Sequence, residues 1–184
     1  ANYYDVPPEW VVVDAADVTG DGKSDLVWRN TANGFTFLWA LNGLAPSAYF
    51  SLGVLDPAVW TLAGAGDLDR DGRADLVWRN ADGTIYAWLM NGGAIAGQGV
   101  VANPGTDWVL ADIADMDGDN KADLVFRHAT TGQVYVWLMD GTAIAGSGSA
   151  TTVPPADWSL VAAADFSGDG KADLLWRHTD VTTY

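Results

Sequence analysis

Short apolar runs recur along the chain, and none keeps the three-to-four-residue spacing of an amphipathic helix. Trp10, Trp60, Trp108 and Trp158 each open a run that ends on an aspartate, at Asp17, Asp67, Asp115 and Asp165. A polar Asp- and Gly-rich stretch follows. A second run comes next: DLVWRN at 25–30 and 75–80, DLVFRH at 123–128, DLLWRH at 173–178. Three of the units continue into a third run, at 34–43, 83–92 and 132–141, and a weaker fourth run such as 48–55 closes the unit. Runs of this length between turn residues read as strands. Each unit thus predicts about four short strands in about 49 residues, the size of one propeller blade.

The third run shows how the strands must pack. Phe37, Trp39 and Leu41 alternate with Thr36, Leu38 and Ala40, and the later copies repeat this with Tyr86, Trp88, Met90 and with Tyr135, Trp137, Met139. Both faces are mostly apolar, so both must be covered, and stacked blades cover both. Ala16, Gly66, Ala114 and Ala164 are small at the inner end of the first strand, where strands crowd near an axis. The predicted fold is all-β: a β-propeller of four-stranded antiparallel blades, four in number. Its last blade is completed by an N-terminal strand of its own or a neighbouring chain. Residues 1–184 then form one domain, with a terminal strand at 1–9, full blades at 10–59, 60–107 and 108–157, and a partial blade at 158–184. The expected terminal strand is 2–6, and a short third strand of the last unit is expected at 181–184.

The loops between first and second strands carry the candidate chemistry. They place Asp17, Thr19, Asp21, Lys23 and Asp25 at loop positions 1, 3, 5, 7 and 9. The same positions hold Asp67, Asp69, Asp71, Arg73 and Asp75, then Asp115, Asp117, Asp119, Lys121 and Asp123, then Asp165, Ser167, Asp169, Lys171 and Asp173. Side-chain oxygens at 1, 3, 5 and 9 converge in a tightly curled loop, and the backbone carbonyl of position 7 adds another donor. Six to eight hard oxygens suit Ca²⁺, about one ion per repeat and up to four in all. Softer metals would call for His or Cys. Gly at position 6, or Asn120 in the third loop, permits the sharp turn. An EF-hand would need flanking helices and a Glu at its twelfth position, and neither is present.

Composition sharpens this reading. Nine Lys+Arg stand against 24 Asp+Glu, a net charge of -15, which argues against nucleic acid and anionic membranes as partners. Glu9 is the only glutamate, and fourteen of the acidic residues lie in the four loops. Carboxylates so crowded repel unless a cation sits among them, and four divalent ions would about halve the charge. With Kd on the order of 10 µM and free calcium about 1 mM, each site adds about 2.7 kcal/mol. Such a metal would be structural, and the protein would then belong where calcium is millimolar, outside the cytoplasm. Thr19 and Ser167 leave their loops one carboxylate short, so these are expected to bind more weakly. There are no cysteines, so disulfides and thiolate sites are excluded. No apolar run is long enough to span a membrane. No signal-like N-terminus is seen, and the chain reads as a mature protein or a fragment.

The repeated D-x-[D/T/S]-x-D-[G/N]-x-x-D-L loop followed by W-R-[N/H] resembles the FG-GAP/VCBS family of calcium-binding repeats. So does the tail G-x-x-x-x-W-x-[M/L]-[N/D]-G. The resemblance covers nearly the whole chain. It implies a calcium-binding β-propeller, extracellular or at the cell surface, used in adhesion, recognition or assembly. The phenylalanine-glycine and glycine-alanine-proline motifs of integrins are absent, so their partner binding is not implied.

The remaining conspicuous residues have structural readings. Arg29, Arg79, Arg127 and Arg177 recur after the second-strand aromatic, as struts to a carboxylate or carbonyl would. His128 and His178 replace Asn30 and Asn80 and read as hydrogen-bonding loop residues. The ten Trp sit mostly at repeated strand positions and read as core. No catalytic constellation is present, so the chain is not expected to be an enzyme. The expected function is a calcium-stabilised extracellular structural or adhesive propeller. Its expected partners are other copies of itself, head-to-tail or in a closed oligomer, through exchange of a terminal strand. The alternative is a carbohydrate-binding lectin, with glycans or a cell-surface protein as partner. An accessory module of a secreted enzyme has the least support.

Overall fold

The computed structural model describes residues 6–180. They form fourteen strands and, among the described residues, no helix. The first sheet holds β1 (Trp10–Ala16), β2 (Asp25–Asn30), β3 (Phe35–Asn42) and β4 (Ala45–Val54). The second holds β5 (Trp60–Gly66), β6 (Asp75–Asn80), β7 (Ile85–Asn91) and β8 (Ala94–Ala102). The third holds β9 (Trp108–Ala114), β10 (Asp123–His128), β11 (Gln133–Asp140) and β12 (Ala143–Thr152). The fourth holds β13 (Trp158–Ala164) and β14 (Asp173–His178). Each sheet is an antiparallel meander with strands in chain order, the blade expected from the sequence. The expected strands at 2–6 and 181–184 fall outside the described residues, apart from Val6.

Sheets stack through their first strands, with β1 beside β5, β5 beside β9 and β9 beside β13. The two-faced apolar pattern is the reason. Val18, Val27 and Leu38 of the first sheet bury against Trp78, Trp88 and Met90 of the second. Leu68, Val77, Ile85 and Ala87 bury against Leu124, Phe126 and Met139 of the third. Val125 and Val134 then meet Trp176 of the fourth. Every core therefore lies between sheets. Trp78 and Trp88 are 0% and 2% exposed, which fits their reading as core.

The outer faces of the stack differ from the inner ones. Val27, Val77 and Val125 are fully buried, while their counterpart Leu175 is half-buried. Val18 and Leu68 are buried at loop position 2, while Phe166 at the same position is 59% exposed. On the opposite face Leu26 and Trp28 are half-buried, unlike Leu76 and Trp78.

Two features complete the junctions, and the first was not visible in the sequence pattern. Each first strand carries a bulge at the same place, after Val12, Leu62, Leu110 and Leu160. A bulge bends the strand and increases its twist. Arg29, Arg79 and Arg127 also each reach across toward the next sheet. The Arg29 Nη2 donates to the Leu55 and Trp60 carbonyls at 3.0 Å, and the Arg79 and Arg127 Nη2 donate to the Gly105 and Val153 carbonyls at 3.0 Å. Arg29 lies 4.7 Å over the Trp78 ring and Arg127 lies 5.0 Å over Trp176. The expected struts thus end on carbonyls. Arg177, in the last sheet, is exposed.

Glycines in the second-to-third-strand turns fix the approach of the next connector. A Cβ on Gly34 would overlap the Leu55 carbonyl oxygen, and one on Gly132 would overlap that of Val153. Both glycines also have positive φ, at 73° and 72°. Gly34→Ala and Gly132→Ala should each cost about 2–4 kcal/mol in urea unfolding, from backbone strain plus overpacking. A loss below about 0.5 kcal/mol, the ordinary range for a surface change, would contradict this geometry.

Candidate metal centre

The first aspartate of each loop folds the loop around its own carboxylate. Asp17 Oδ1 accepts the Gly20 N–H at 2.7 Å, and its Oδ2 accepts the Gly22 N–H at 2.7 Å. Asp115 Oδ1 and Oδ2 accept from Gly118 and Asn120, and Asp165 Oδ1 and Oδ2 accept from Gly168 and Gly170. Asp67 Oδ2 accepts from Gly72 at 2.8 Å. These bonds hold the Asp165 carboxyl below the usual carboxylate range, the Gly170 N–H foremost. Asn120 takes the turn with φ 64°, as the glycines do at the same position.

The position-5 aspartates accept the backbone N–H of position 7, from Lys23, Arg73, Lys121 and Lys171, at 2.8–3.0 Å. Three position-7 side chains fold back onto the same carboxylates. Lys23 Nζ lies 3.0 Å from Asp21, Arg73 Nη1 2.8 Å from Asp71, and Lys121 Nζ 3.2 Å from both Asp119 and Asp140. These pairs are substantially exposed, so they add little to stability.

The position-9 aspartates are set apart by burial. Asp25 and Asp75 are 0% exposed and Asp123 is 1% exposed. Each takes two backbone N–H bonds that tie the loop to the third strand. Asp75 Oδ2 accepts from Leu68 at 2.9 Å and its Oδ1 from Met90 at 2.7 Å. Asp123 does the same with Met116 and Met139, and Asp25 with Thr19 and Leu41. Asp173 accepts from Phe166 and Ser167. Burial pushes the Asp75 carboxyl up to about 7 and the Asp123 carboxyl up to about 6, against the pull of their N–H donors. The exposed Asp69 is also raised, by desolvation and then by the neighbouring Asp71 charge.

Two of the four loops bring three carboxylates to one point. Oxygens of Asp67, Asp69 and Asp71 lie within 4.8 Å of one another, as do oxygens of Asp115, Asp117 and Asp123. The first triad uses loop positions 1, 3 and 5, and the second uses 1, 3 and 9. The loops with Thr19 and Ser167 form no such carboxylate triad among the described residues. A set made only of hard carboxylate oxygens fits Ca²⁺ and does not favour a soft metal.

The loops are also linked in series. Ala74 N–H donates to the Asp17 carbonyl at 2.8 Å, Ala122 to Asp67 at 2.6 Å, and Ala172 to Asp115 at 2.7 Å. The first-position aspartate thus folds its loop with its side chain and holds the next loop with its backbone. This chain of bonds left no mark in the sequence. The histidines behave as read: His128 Nδ1 accepts the N–H groups of Thr130 and Thr131, as Asn30 Oδ1 accepts those of Ala32 and Asn33.

Stacked four-stranded blades with one acidic loop each define a protein of the repeat-built propeller class. The family model described as an FG-GAP-like repeat matches residues 17–78, 67–126 and 115–176. The chain belongs to the FG-GAP-like repeat family. The search of curated proteins returned no match.

Buried and exposed aspartates should respond differently to substitution. Asp75→Asn exchanges an acceptor for a donor that faces a backbone N–H, so it should cost about 1–3 kcal/mol even with calcium chelated. Asp69→Asn removes one of three crowded charges, so it should leave the chelated protein at least as stable and reduce the calcium-induced rise in Tm. Identical losses in both variants would remove this distinction. The pH dependence has a definite sign as well. Asp75 and Asp123 keep their protons in the folded state at pH values where the unfolded chain, with carboxyls near about 3.9, has shed them. Their contribution to stability is full below about pH 4 and is lost as pH rises through about 6–7 in metal-free protein. Protons compete with the cation at Asp123, so the calcium-induced rise in Tm should shrink between pH 8 and pH 5. A rise independent of pH would contradict this.

Proposed function

We propose that the protein is an extracellular or cell-surface, non-catalytic β-propeller, stabilised by Ca²⁺ and used structurally or adhesively through self-association. The observation that carries the metal assignment is the pair of carboxylate triads in a chain whose family repeat matches each of these loops. Loop positions 1, 3, 5 and 9 in all four repeats are the ligand set, with the position-7 carbonyls of Lys23, Arg73, Lys121 and Lys171 completing it. The two triads are the stronger sites. Among the described residues no helix is long and apolar enough to cross a membrane. Seven of the ten tryptophans belong to the cores between sheets or pack against them, which favours the structural reading over a lectin.

Support for self-association comes from the outer faces of the stack. Phe166 and Leu175 belong to a face that is buried in each inner sheet, and Leu26 and Trp28 belong to its complement. Among the described residues, the Ala74-to-Asp17 type of bond has no counterpart between Ser24 and Asp165. A second copy stacked on these faces, with or without exchange of a terminal strand, would repeat the inner junction.

Calcium titrated into chelator-treated protein should bind saturably and raise Tm by more than about 10 °C, given about 2.7 kcal/mol per site. No uptake and an unchanged Tm would overturn the metal assignment. In calcium, light scattering should give a mass above 19.5 kDa that rises with concentration, and Phe166→Ser should return it toward that value. A mass of 19.5 kDa at every concentration would overturn self-association.

A further inference from the structure

The three junctions between sheets share one strut, and the connector of the second departs from the other two. Arginines of the first, second and third sheets anchor the carbonyls of Leu55, Gly105 and Val153, each 26 residues further along the chain. Cβ atoms on Gly34, Gly83 and Gly132 would meet the same three carbonyls. Gly105 therefore occupies the structural place of Leu55 and Val153. Leu55 packs against the core that holds Trp78 and Trp88, and Val153 packs against the core that holds Trp176. Gly105 supplies no side chain there, and a Cβ on it would meet nothing within 4 Å.

The connector is rebuilt around this residue. Gly105 stands three residues before Trp108, whereas Leu55 and Val153 stand five before Trp60 and Trp158. Its φ is 88°, a conformation that excludes a leucine or valine without strain. The Asn103 side chain replaces a backbone link: Oδ1 accepts the Gly105 N–H at 2.7 Å and Nδ2 donates to Thr84 Oγ1 at 3.1 Å. In the other junctions Leu55 and Val153 donate their own N–H to Gly34 and Gly132.

Where the plug is missing there is an open pocket of about 250 Å³ lined by Pro104, Trp108, Phe126, Tyr135 and Trp137. Trp137 is half-buried, while its counterpart Trp88 in the plugged junction is 2% exposed. The Tyr135 hydroxyl already shares a hydrogen bond with Ser147 at 3.2 Å. The lining offers few polar groups to orient a sugar, whose hydroxyls would turn to the solvent at the open mouth. An apolar group meets aromatic rings and a proline. We infer that the junction of the second and third sheets is a binding pocket for one small apolar group, branched-aliphatic or benzene-like. The sister junctions fill the corresponding place with an isobutyl or isopropyl side chain of their own. A dry apolar cavity of about 150 Å³ is already large enough for benzene.

The test is ¹⁹F NMR of fluorobenzene with the whole chain in calcium buffer. One saturable site per chain is expected. Exchanging residues 105–107 for the five residues 55–59 installs a connector that already serves the first junction, and it should weaken binding at least about tenfold. Leu55→Gly should open a second pocket and raise the stoichiometry from one to two, which tests the idea even if the exchanged connector fails to fold. No saturable binding, or undiminished binding to a folded exchange variant, would overturn the inference. So would displacement of fluorobenzene by methyl α-glucoside, which would make the pocket a sugar site. Competition by N-acetyl-leucinamide would uphold it with the group carried on a peptide. Fluorobenzene binding without such competition would uphold it with the group carried on a free small molecule.

Discussion

No sheet of this protein can be stable alone, because each complete sheet is apolar on both faces. The burial lies between sheets, as Val27 against Trp78 or Val77 against Phe126, and little is left within one. This is the energetic logic of repeat proteins, where neighbour contacts carry the stability. It explains why the same side chains return about every 49 residues and why the outer faces of the stack are more exposed than the inner ones. Everything else in the fold serves to bring two such faces together at a fixed angle.

Two devices do so, at opposite ends of the first and second strands. At the loop end, the carbonyls of Asp17, Asp67 and Asp115 each accept the N–H of the next loop. At the other end, Arg29, Arg79 and Arg127 each reach a carbonyl of the following connector and, at two junctions, an arginine stacks on an aromatic ring of the next sheet. The loop end is the weaker device without a cation. It crowds carboxylates together, and it buries Asp75 and Asp123 at a cost seen in their raised pKa values. On the proposed calcium assignment, a divalent ion would remove the repulsion and leave the hydrogen bonds in place, and cation binding would be coupled to the stacking of sheets through the first-position aspartate.

Much of this was legible in the sequence because both signals repeat. Alternation in the third strand, with Phe37 and Trp39 opposed to Leu38 and Ala40, specifies two covered faces, and the loop spacing points to converging oxygens, which two of the four loops present as carboxylate triads. What stayed hidden depends on three-dimensional juxtaposition. The buried state of Asp25, Asp75 and Asp123 arises because the third strand closes over them, and nothing in D-L-V-W announces it. The strut carbonyls 26 residues beyond each arginine have no side-chain code, since Leu55, Gly105 and Val153 share only a backbone. The first-strand bulges fall on Val13, Ala63, Ala111 and Val161, small apolar residues with no turn or bulge signature of their own.

Repetition also makes exceptions readable. A residue that differs from its copies while keeping their backbone contacts has been freed from the shared task. Thr19 and Ser167 still sit in loops that Asp17 and Asp165 fold, so the substitution changes the carboxylate count and spares the loop. Gly105 still offers its carbonyl to Arg79, so the loss of a side chain there spares the junction and alters only the space beside Trp108. Phe166 remains at the position that Val18 and Leu68 use to plug a junction, yet it stands largely in solvent. In each case the scaffold is kept and a local property is changed. These are the positions where a uniform stack of blades acquires individual sites.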